Sequence, residues 1–439
     1  MKITAKLPFA TEAVRELKII QRLNSHGTAY LSGMLSNNSM EAINRLTEKT
    51  PVEIKISDPE GNKHTVFHGT PCSMKTKHRN GVIEWFLLLK DSSIFLDLQK
   101  NSKSFQDKNN TYKNIFETLL SSYKGSCIDT VSNNNRLNQP LIQYKETDWE
   151  FLIRAASNLG VTIYSNPLSD KPEICLGVPK GSFYQEPKIA KQSSKDDHNR
   201  ISCRFESYQD YQIGDAITDV HLSLIITEKV TRLRKGLLSY SYVGQNSEAM
   251  AQKSQKNLRL KGNSIKGNVI AVKEDLLKVK LSIDSHQSKS EACWFPLATP
   301  YAAEGSAGFY AIPQVGESIN LYFPSFEEKD AIVWYANRLD SNDNPNVSRP
   351  PIKRFGTEDG KELKLSPNQL SFSASKNKLL LSLDQKNGIL LKSRKDIHLK
   401  TPKNLLSRCH TLEMESQDKI ILSTPSCSII VDDIVHIKG

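Results

Sequence analysis

Pairs of apolar residues one position apart recur along the C-terminal part of the sequence, from Phe355 to Gly439. They follow one another at intervals of roughly seven to ten residues, separated by segments rich in Asn, Asp, Lys, Ser and Gly. The pairs are Leu363/Leu365, Leu370/Phe372, Leu379/Leu381/Leu383, Ile389/Leu391, Ile397/Leu399, Leu412/Met414, Ile420/Leu422 and Val435/Ile437. Alternation over so few residues is typical of very short strands joined by turns. The pattern therefore predicts a rod of β-structure over residues 355–439.

A rod built from a single copy of this segment has two physical problems. Each strand offers only about two or three inward side chains, and the backbone edges on both sides are left open. Three copies that wrap around one axis would close the core and pair the edges, so we expect an intertwined β-helix in a homotrimer. A monomeric β-sandwich is the alternative, although sandwich strands are usually longer than these.

The composition is that of an ordinary folded protein. Of 439 residues, 38% are hydrophobic and 24% are charged, and this length allows several domains with their own cores. The net charge of +11 raises the question of an anionic partner such as nucleic acid. The basic residues are scattered, however, and none of the Lys-rich or Arg-rich runs typical of nucleic-acid binding is present. We therefore expect a mildly basic surface and no specific nucleic-acid partner.

The cysteines and the N-terminus predict assembly in the cytoplasm. The seven cysteines are odd in number, far apart and never in a CxxC pair, which favours a reducing compartment and argues against a zinc site. Residues 1–20 interrupt their apolar positions with charged residues such as Glu12, Arg15 and Lys18, so they lack the core of a signal peptide. No run approaches the length of about 18 apolar residues that a membrane-spanning helix needs.

Residues 1–95 alternate strand patterns with turn signals. Strands are predicted at residues 3–7, 17–23, 28–35, 52–56, 64–69 and 82–89, with turns such as DPEGN at residues 58–62 between them. This block is expected to form a β-barrel-like domain. Within it, the apolar run from Trp85 to Leu89 is expected to be buried on both faces of its strand. A second block rich in strand patterns covers residues 166–262.

Between these blocks the hydrophobic period becomes helical. Apolar residues at positions 112, 115, 116, 119, 120 and 123 form one stripe on a helix of about three turns, with Asn110 or Thr111 as its N-cap. A second helix is predicted by the capping box TDWE at residues 147–150, in which Thr147 and Glu150 each bond the other's backbone. Gly160 stands where a C′ residue ends that helix.

The second helix lies in a stretch that resembles a known family signature. Residues 139–166, QPLIQYKETDWEFLIRAASNLGVTIYSN, are similar to the VgrG and phage tail-hub motif, whose usual form is close to QYxETDxxFlxRLaxxxGi. The preceding helix, TYKNIFETLLSSY, also matches the family in position and character, whereas Ala155 replaces a usual Leu. The residues expected to have structural roles are Gln143, Tyr144, Glu146, Thr147, Asp148, Trp149, Phe151, Arg154 and Gly160. The resemblance implies two similar hub barrels that flank this helical insertion.

From Lys266 onward, about five strand patterns in about seventy residues predict a small Greek-key barrel of the OB type. The pieces WFPLATPYA, GFYAIPQVGE and INLYF resemble the OB domain of the same hub-spike family, with Gln314 where the family often has Glu. The residues expected in the OB core or in contacts between copies are Trp294, Phe295, Pro296, Phe309, Pro313 and Gly316.

OB barrels also bind carbohydrates or single-stranded nucleic acid, so a binding module is an alternative from another class. Binding of that kind needs exposed aromatic side chains on a basic groove. In this sequence Trp294, Phe295 and Phe309 lie inside apolar runs instead, which favours a packing role.

The sequence lacks the usual patterns for catalysis and for cofactor binding. The turn GSAG at residues 305–308 lacks the GxSxG form, and neither HExxH nor GxxxxGK[ST] occurs. The acidic pairs Asp196/Asp197 and Asp432/Asp433 lie beside turns, where Asp favours the backbone. The ten His residues are dispersed, and His436 has no HxH partner. We therefore expect no catalytic residue, cofactor or metal site; a spike that carries an enzyme would need a further domain.

These observations predict six segments. They are a first hub barrel (1–100), a helical insertion (101–165), a second hub barrel (166–262), an OB-fold (263–337), a linker (338–354) and a trimeric β-helix spike (355–439). The family resemblance implies a structural hub and membrane-puncturing spike of a contractile injection machine, with an inner tube protein, baseplate proteins and the target membrane as partners. Type VI secretion systems, extracellular injection particles, phage tails and tailocins all remain open.

The C-terminus predicts one further partner. Ile434, Val435, His436, Ile437, Lys438 and Gly439 continue the strand pattern to the last residue of the sequence. A blunt apolar end with open strand edges requires a cover. We therefore expect a separate tip protein of the PAAR type to dock on residues 429–439, on a particle that is finally injected or extracellular.

Overall fold

The computed structural model describes residues 2–7, 9, 11–35, 46–48, 50–58, 60–79, 82–131, 135–185, 192–196, 198–219, 222–300, 309–337, 350–374 and 379–438. The chain forms two compact units, Met1–Leu339 and Asp340–Gly439. None of the helices in these ranges has the length and hydropathy needed to cross a membrane. The six-segment division is finer than these two units and stays a prediction; residues 338–349 of its linker lie outside the described residues.

The first block of strands forms a barrel-like sheet. Its strands are β1 (Lys2–Lys6), β2 (Thr11–Arg22), β3 (Thr28–Leu35), β4 (Val52–Ser57), β5 (Lys63–Arg79) and β6 (Val82–Lys90). They pair in the order β1-β4-β5-β6-β3-β2. Alternate side chains, among them Leu17, Leu31 and Trp85, point into one buried core. All the strands predicted for residues 1–95 are confirmed, and β2 and β5 extend beyond their predicted bounds.

One prediction for this block is wrong. Of the run expected to be buried on both faces, Trp85, Leu87 and Leu89 are buried, but Phe86 is 45% exposed and Leu88 is only half-buried. Successive side chains of a strand point to opposite faces, and β6 has the protein core on one face only. A run of five apolar residues does not reveal this one-sided burial, because the sequence alone does not show that the second face of β6 is uncovered.

The helical insertion follows the predicted periods. After a 3₁₀ helix (Ser92–Asp97) come β7 (Lys100–Phe105), α1 (Tyr112–Ser121), β8 (Ser126–Asp129), β9 (Leu141–Thr147), α2 (Asp148–Asn158), β10 (Ile163–Ser165) and β11 (Glu173–Leu176). Thr111 is the N-cap of α1, and its side chain accepts from the Asn114 N–H. The capping box of α2 is present, and Gly160 follows its C-cap with a φ of 72°. Both predicted helices are confirmed.

The second block of strands joins the first in one sheet. It contains β12 (Phe183–Gln185), β13 (Gln192–Lys195), β14 (Ile201–Ser207), β15 (Ala216–Asp219), β16 (Leu222–Arg234), β17 (Leu237–Gln245) and the short helix α3 (Ser247–Met250). Strand β16 pairs antiparallel with β2, which creates a 12-stranded sheet. Each block of strands keeps its own core. Leu233 of the second block nevertheless packs in the core of the first block, and Leu23 of the first block packs in the core of the second block.

The OB-type barrel has five strands, as predicted. They are β18 (Ser264–Lys273), β19 (Leu276–Leu281), β20 (Trp294–Pro296), β21 (Ser318–Tyr322) and β22 (Ile332–Asn337), paired in the order β20-β19-β18-β21-β22. A parallel bridge between Leu297 and Val333 connects the two ends of this order. The barrel core includes Phe295 and Leu321, and it also receives Ile142 from β9. This contact joins the OB barrel to the helical insertion.

The C-terminal unit consists of two small antiparallel sheets. One contains β23 (Lys353–Gly356), β24 (Glu362–Ser366), β25 (Gln369–Ala374), β26 (Leu379–Asp384) and β27 (Gly388–Lys392). The other contains β28 (Ile420–Ser423), β29 (Ser428–Val431) and β30 (Val435–Lys438). The strands expected at Ile397/Leu399 and Leu412/Met414 are absent, because residues 394–419 are exposed and find no partner strand within one copy. The prediction of a mainly β protein is confirmed.

Candidate structural and interaction sites

Arg154 occupies the centre of the motif region, where its side chain is 4% exposed. Its Nε and Nη2 donate to the two carboxylate oxygens of Glu146, both at 2.8 Å, and its Nη1 donates to Glu328 Oε1 at 2.7 Å. Burial by itself would lower the pKa of the guanidinium, but the hydrogen bond to Glu146 and the charge of Glu328 raise it, so Arg154 stays charged. Because Glu328 belongs to the OB part of the chain, this cluster connects α2 with the OB barrel.

Asp148 is the centre of a second group of polar contacts in the motif. Its Oδ1 accepts from Gln143 Nε2 at 2.8 Å and from Asn101 Nδ2 at 3.0 Å. Its Oδ2 accepts from the Tyr123 hydroxyl at 2.7 Å. Burial, followed by this hydrogen bond to Asp148, raises the pKa of Tyr123, so the phenol stays a donor. Asp148 therefore holds β7, β9 and the turn after α1 around the start of α2.

The capping residue Thr147 connects the same helix to the first barrel. Its hydroxyl accepts from the Glu150 N–H at 3.0 Å and donates to Asp97 Oδ1 at 2.6 Å. The neighbouring Trp149 is buried and stacks on His26, with ring centroids 4.3 Å apart. These contacts fix the N-terminus of α2 against the 3₁₀ helix, through Asp97, and against the turn that follows β2, through His26.

Replacing Thr147 with alanine should lower the free energy of unfolding by about 1–2 kcal/mol. The substitution leaves the Glu150 N–H without its cap and removes the donor to Asp97. Thr147→Ser, which keeps the hydroxyl, should stay within about 0.5 kcal/mol of the natural chain. Urea unfolding followed by far-ultraviolet circular dichroism measures both. Equal losses in the two variants would contradict this role of the hydroxyl.

The other motif residues also contribute to packing. Phe151 is fully buried and stacks on Phe105, while the Tyr144 side chain packs against the OB core. The Tyr144 carbonyl accepts from Asn257 Nδ2 at 2.9 Å. A buried carboxylate, Asp284, adds a further connection to the OB barrel, because it accepts from the backbone N–H and the hydroxyl of Ser104 at 2.7 and 2.6 Å. Sequence reasoning missed Asp284 and Glu328, which lie in no motif.

The structure separates the six predicted OB residues into two groups. Phe295 and Pro313 are buried, and Trp294 is half-buried beneath the Lys278 ammonium, 5.1 Å from its ring centroid. Three others are exposed: Pro296, Phe309 (47% exposed) and Gly316, which adopts a φ of 98° in a turn. The exposed residues do not belong to the core of a single copy.

The five-stranded sheet of the C-terminal unit has one apolar and one polar face. Directly opposite residues share a face, and two rows on one face are almost entirely apolar: Phe355-Leu363-Phe372-Leu381-Leu391 and Lys353-Leu365-Leu370-Leu383-Ile389. The rows between them are mostly polar and run through Lys364, Ser371 and Ser382. Most of the apolar side chains are exposed, and the four buried apolar clusters of the described chain all lie within the N-terminal unit.

The first two residues of the predicted tip segment, 434–439, are exposed. Ile434 and Val435 are 68% and 60% exposed, at the turn before β30 and at its first residue. His436, Ile437 and Lys438 lie on β30, which pairs with β29, and Gly439 lies outside the described residues. Asp432 accepts from the Ile434 N–H at 3.2 Å, which is the turn role expected for it. Asp196 has a similar role, accepting from the N–H of His198 and that of Arg200, while Asp197 lies outside the described residues.

Side chains suited to metal binding do not gather in the described ranges: they contain no group of three or more His, Cys, Asp and Glu residues that could hold an ion.

Two families match parts of the sequence. Residues 265–336 match the type VI secretion system/phage-baseplate injector OB domain, which coincides with β18–β22. Residues 43–169 match the Alg8 N-terminal domain. The latter range excludes β1, β2 and β3, although these strands share a sheet with β4, β5 and β6. It therefore cuts through a sheet and corresponds to no complete folded part of this chain, so it supports no function here. No curated protein matches the chain.

Solved structures match over most of the chain. A component of the type VI secretion system of E. coli, described as structurally similar to the T4 bacteriophage tail proteins gp27 and gp5, superposes with a TM-score of 0.55 at 12% identity, over 77% of this chain and 100% of its own. A chain of the half-lidded Francisella PdpA–VgrG complex superposes with a TM-score of 0.55 at 13% identity, over 86% of this chain and 83% of its own. The predicted resemblance to VgrG and phage hub-spike proteins is thus confirmed in the fold.

Proposed function

We propose that this chain is the structural hub and spike of a contractile injection machine, in which it joins an inner tube to the tip. The match of residues 265–336 to the injector OB domain and the hub-spike fold support this assignment. The role is mechanical and not enzymatic. Type VI secretion, an extracellular injection particle, a phage tail and a tailocin are the machines that use such a part.

The observation that carries the proposal is the apolar face of the C-terminal sheet. Leu365, Phe372 and Ile389 on this face are 48%, 50% and 77% exposed. A soluble protein rarely leaves a contiguous apolar face of this kind in water. Three copies around one axis would bury these faces against one another, at about 25 cal/mol per Å² of apolar area. Residues 393–419, which form no strand in one copy, would then find partner strands in the neighbouring copies.

Each segment has its part in the proposed machine. The two barrels of the N-terminal unit would cap the inner tube, the OB barrels would form a collar, and the β-helix would transmit thrust to the target membrane. The exposed Phe309 and Pro296 would contact neighbouring copies in the collar. Baseplate proteins would surround the hub. The chain would assemble in the cytoplasm and act in an injected or extracellular particle.

A separate tip protein of the PAAR type would cover the end of the spike. The exposed Ile434 and Val435 support this, because a β end with apolar side chains and unpaired backbone groups requires a partner. Residues 429–439 are the proposed docking segment.

The solution mass of the purified chain tests the proposal. Light scattering should give about three times 49.4 kDa, and this mass should persist after brief heating in detergent, since the three chains are intertwined. A mass of 49.4 kDa at micromolar concentration would show that the chain is a monomer, and it would contradict the proposed threefold spike. In that case the OB barrel as a binding module becomes the better assignment.

A further inference from the structure

A second exposed face lies in the N-terminal unit, on the side of the 12-stranded sheet that faces away from the first core. Two rows of directly opposite residues cross β5, β6, β3, β2 and β16 on this side: Lys75-Phe86-Ser32-Glu16-Arg234 and Ser73-Leu88-Tyr30-Lys18-Arg232. We call the surface formed by Lys18, Tyr30, Lys75, Phe86, Leu88 and Arg232 the outer groove. It belongs to none of the sites described above.

The outer groove offers apolar contact area that its own chain does not use. Its volume is about 600 Å³, and Tyr30, Phe86 and Leu88 line it. Tyr30 is 46% exposed and Phe86 is 45% exposed, while the residues on the opposite face of the same strands are buried. Exposed aromatic side chains in a concave surface are typical anchors for a bound partner.

The charge of the outer groove is positive. Glu16 is neutralised by Arg234, with 2.8 Å between the carboxylate and Nε, and Glu84 beside the groove by Arg15 at 3.2 Å. Within the described residues, no carboxylate forms an ion pair with Lys18, Lys75 or Arg232. Lys18 instead lies over the Tyr30 ring, 5.8 Å from its centroid. The groove thus combines aromatic side chains with three cations that have no anionic partner.

At the centre of the outer groove, recognition must come from side chains. Each of the three central strands is hydrogen-bonded on both sides: β6 to β5 and β3, β3 to β6 and β2, and β2 to β3 and β16. Their backbone groups are therefore satisfied, and a bound strand cannot extend the sheet at these strands. An occupant would have to place apolar side chains against Tyr30 and Phe86 and carboxylates beside the cations.

We propose that the outer groove binds an acidic segment of a partner protein in which aliphatic residues alternate with carboxylates. Charge complementarity supports this occupant, since three cations flank an apolar surface. A nucleic acid would use the same cations, but it has no aliphatic side chains to pack against the apolar surface to which Leu88 contributes. The inference adds a binding surface to the proposed function without depending on the trimer.

Fluorescence anisotropy with a labelled decapeptide of alternating aspartate and leucine tests the proposal. The full-length chain should bind this probe more tightly than a lysine–leucine decapeptide, and binding should weaken as salt is raised. The double variant Tyr30→Ser/Phe86→Ser should lose at least about tenfold in affinity, and Lys75→Glu should lose a similar factor. Phe183→Ser and Tyr208→Ser, which change side chains that are 84% and 89% exposed elsewhere, should bind as the natural chain does.

Three results would overturn the proposal. The lysine–leucine peptide could bind as tightly as the aspartate–leucine peptide, or the groove variants could bind the probe as tightly as the natural chain does. Either result would show that the groove is not a binding site for acidic segments. Displacement of the probe by oligothymidine at equal or lower concentration would assign the groove to single-stranded nucleic acid. A lower solution mass of Tyr30→Ser/Phe86→Ser would show that the groove is an interface between copies. Light scattering on the same samples reports the trimer separately, so failure of this inference is distinguishable from failure of the proposed function.

Discussion

Replacing Arg154 with methionine should lower the free energy of unfolding of the N-terminal unit by about 3–5 kcal/mol. The guanidinium is the cation that bonds the buried carboxylates of Glu146 and Glu328, and methionine fills much of its volume without its charge. Removing one partner of a buried ion pair leaves the other charge without compensation, which costs far more than losing an exposed pair. Urea unfolding of the natural chain and of the variant measures the difference.

Arg259→Met is the matched control. The Arg259 side chain is 43% exposed and lies 3.8 Å from Glu150, so its loss should cost less than about 1 kcal/mol. If Arg154→Met lowered the free energy of unfolding no more than Arg259→Met does, the role of Arg154 in connecting α2 with the OB barrel would be contradicted.

Replacing Leu391 with aspartate should reduce the solution mass from three times 49.4 kDa to that of a single chain. Leu391 lies on the apolar face, directly opposite Leu381, where the proposed trimer buries its core. Three carboxylates would have to enter that core without a cation, at several kcal/mol for each. Light scattering at micromolar concentration measures the mass.

The adjacent residue supplies the control for this prediction. Leu390 is 51% exposed and Leu391 is 49% exposed, but Leu390 lies opposite Ser382 on the polar face. Leu390→Asp should therefore keep the trimer mass. If both variants dissociate, or if Leu390→Asp alone dissociates, the assignment of the buried face is wrong. Circular dichroism of both variants checks that the N-terminal unit is folded.

Local features of this protein were readable from its sequence. The two helices follow from the 3.6-residue period and from the TDWE capping box, because a cap and an apolar stripe involve residues only three or four positions apart. Most of the strands of the C-terminal unit follow from alternation, for the same reason. The OB barrel followed from short pieces that resemble a known domain, and the match of residues 265–336 confirms it.

Contacts between distant residues were decided only by the tertiary structure. Nothing near β2 indicates that it pairs with β16, although Arg22 bonds Glu228 across 206 residues of sequence. Likewise, the motif includes Arg154 and Glu146. The second carboxylate that binds Arg154 belongs to Glu328, which is 174 residues further along the chain and lies in no sequence motif. The uncovered face of β6 was hidden for a related reason, since burial depends on what packs against a strand. Periodicity and capping are short-range properties of the chain, whereas strand pairing, buried ion pairs and exposed faces depend on where the whole chain folds.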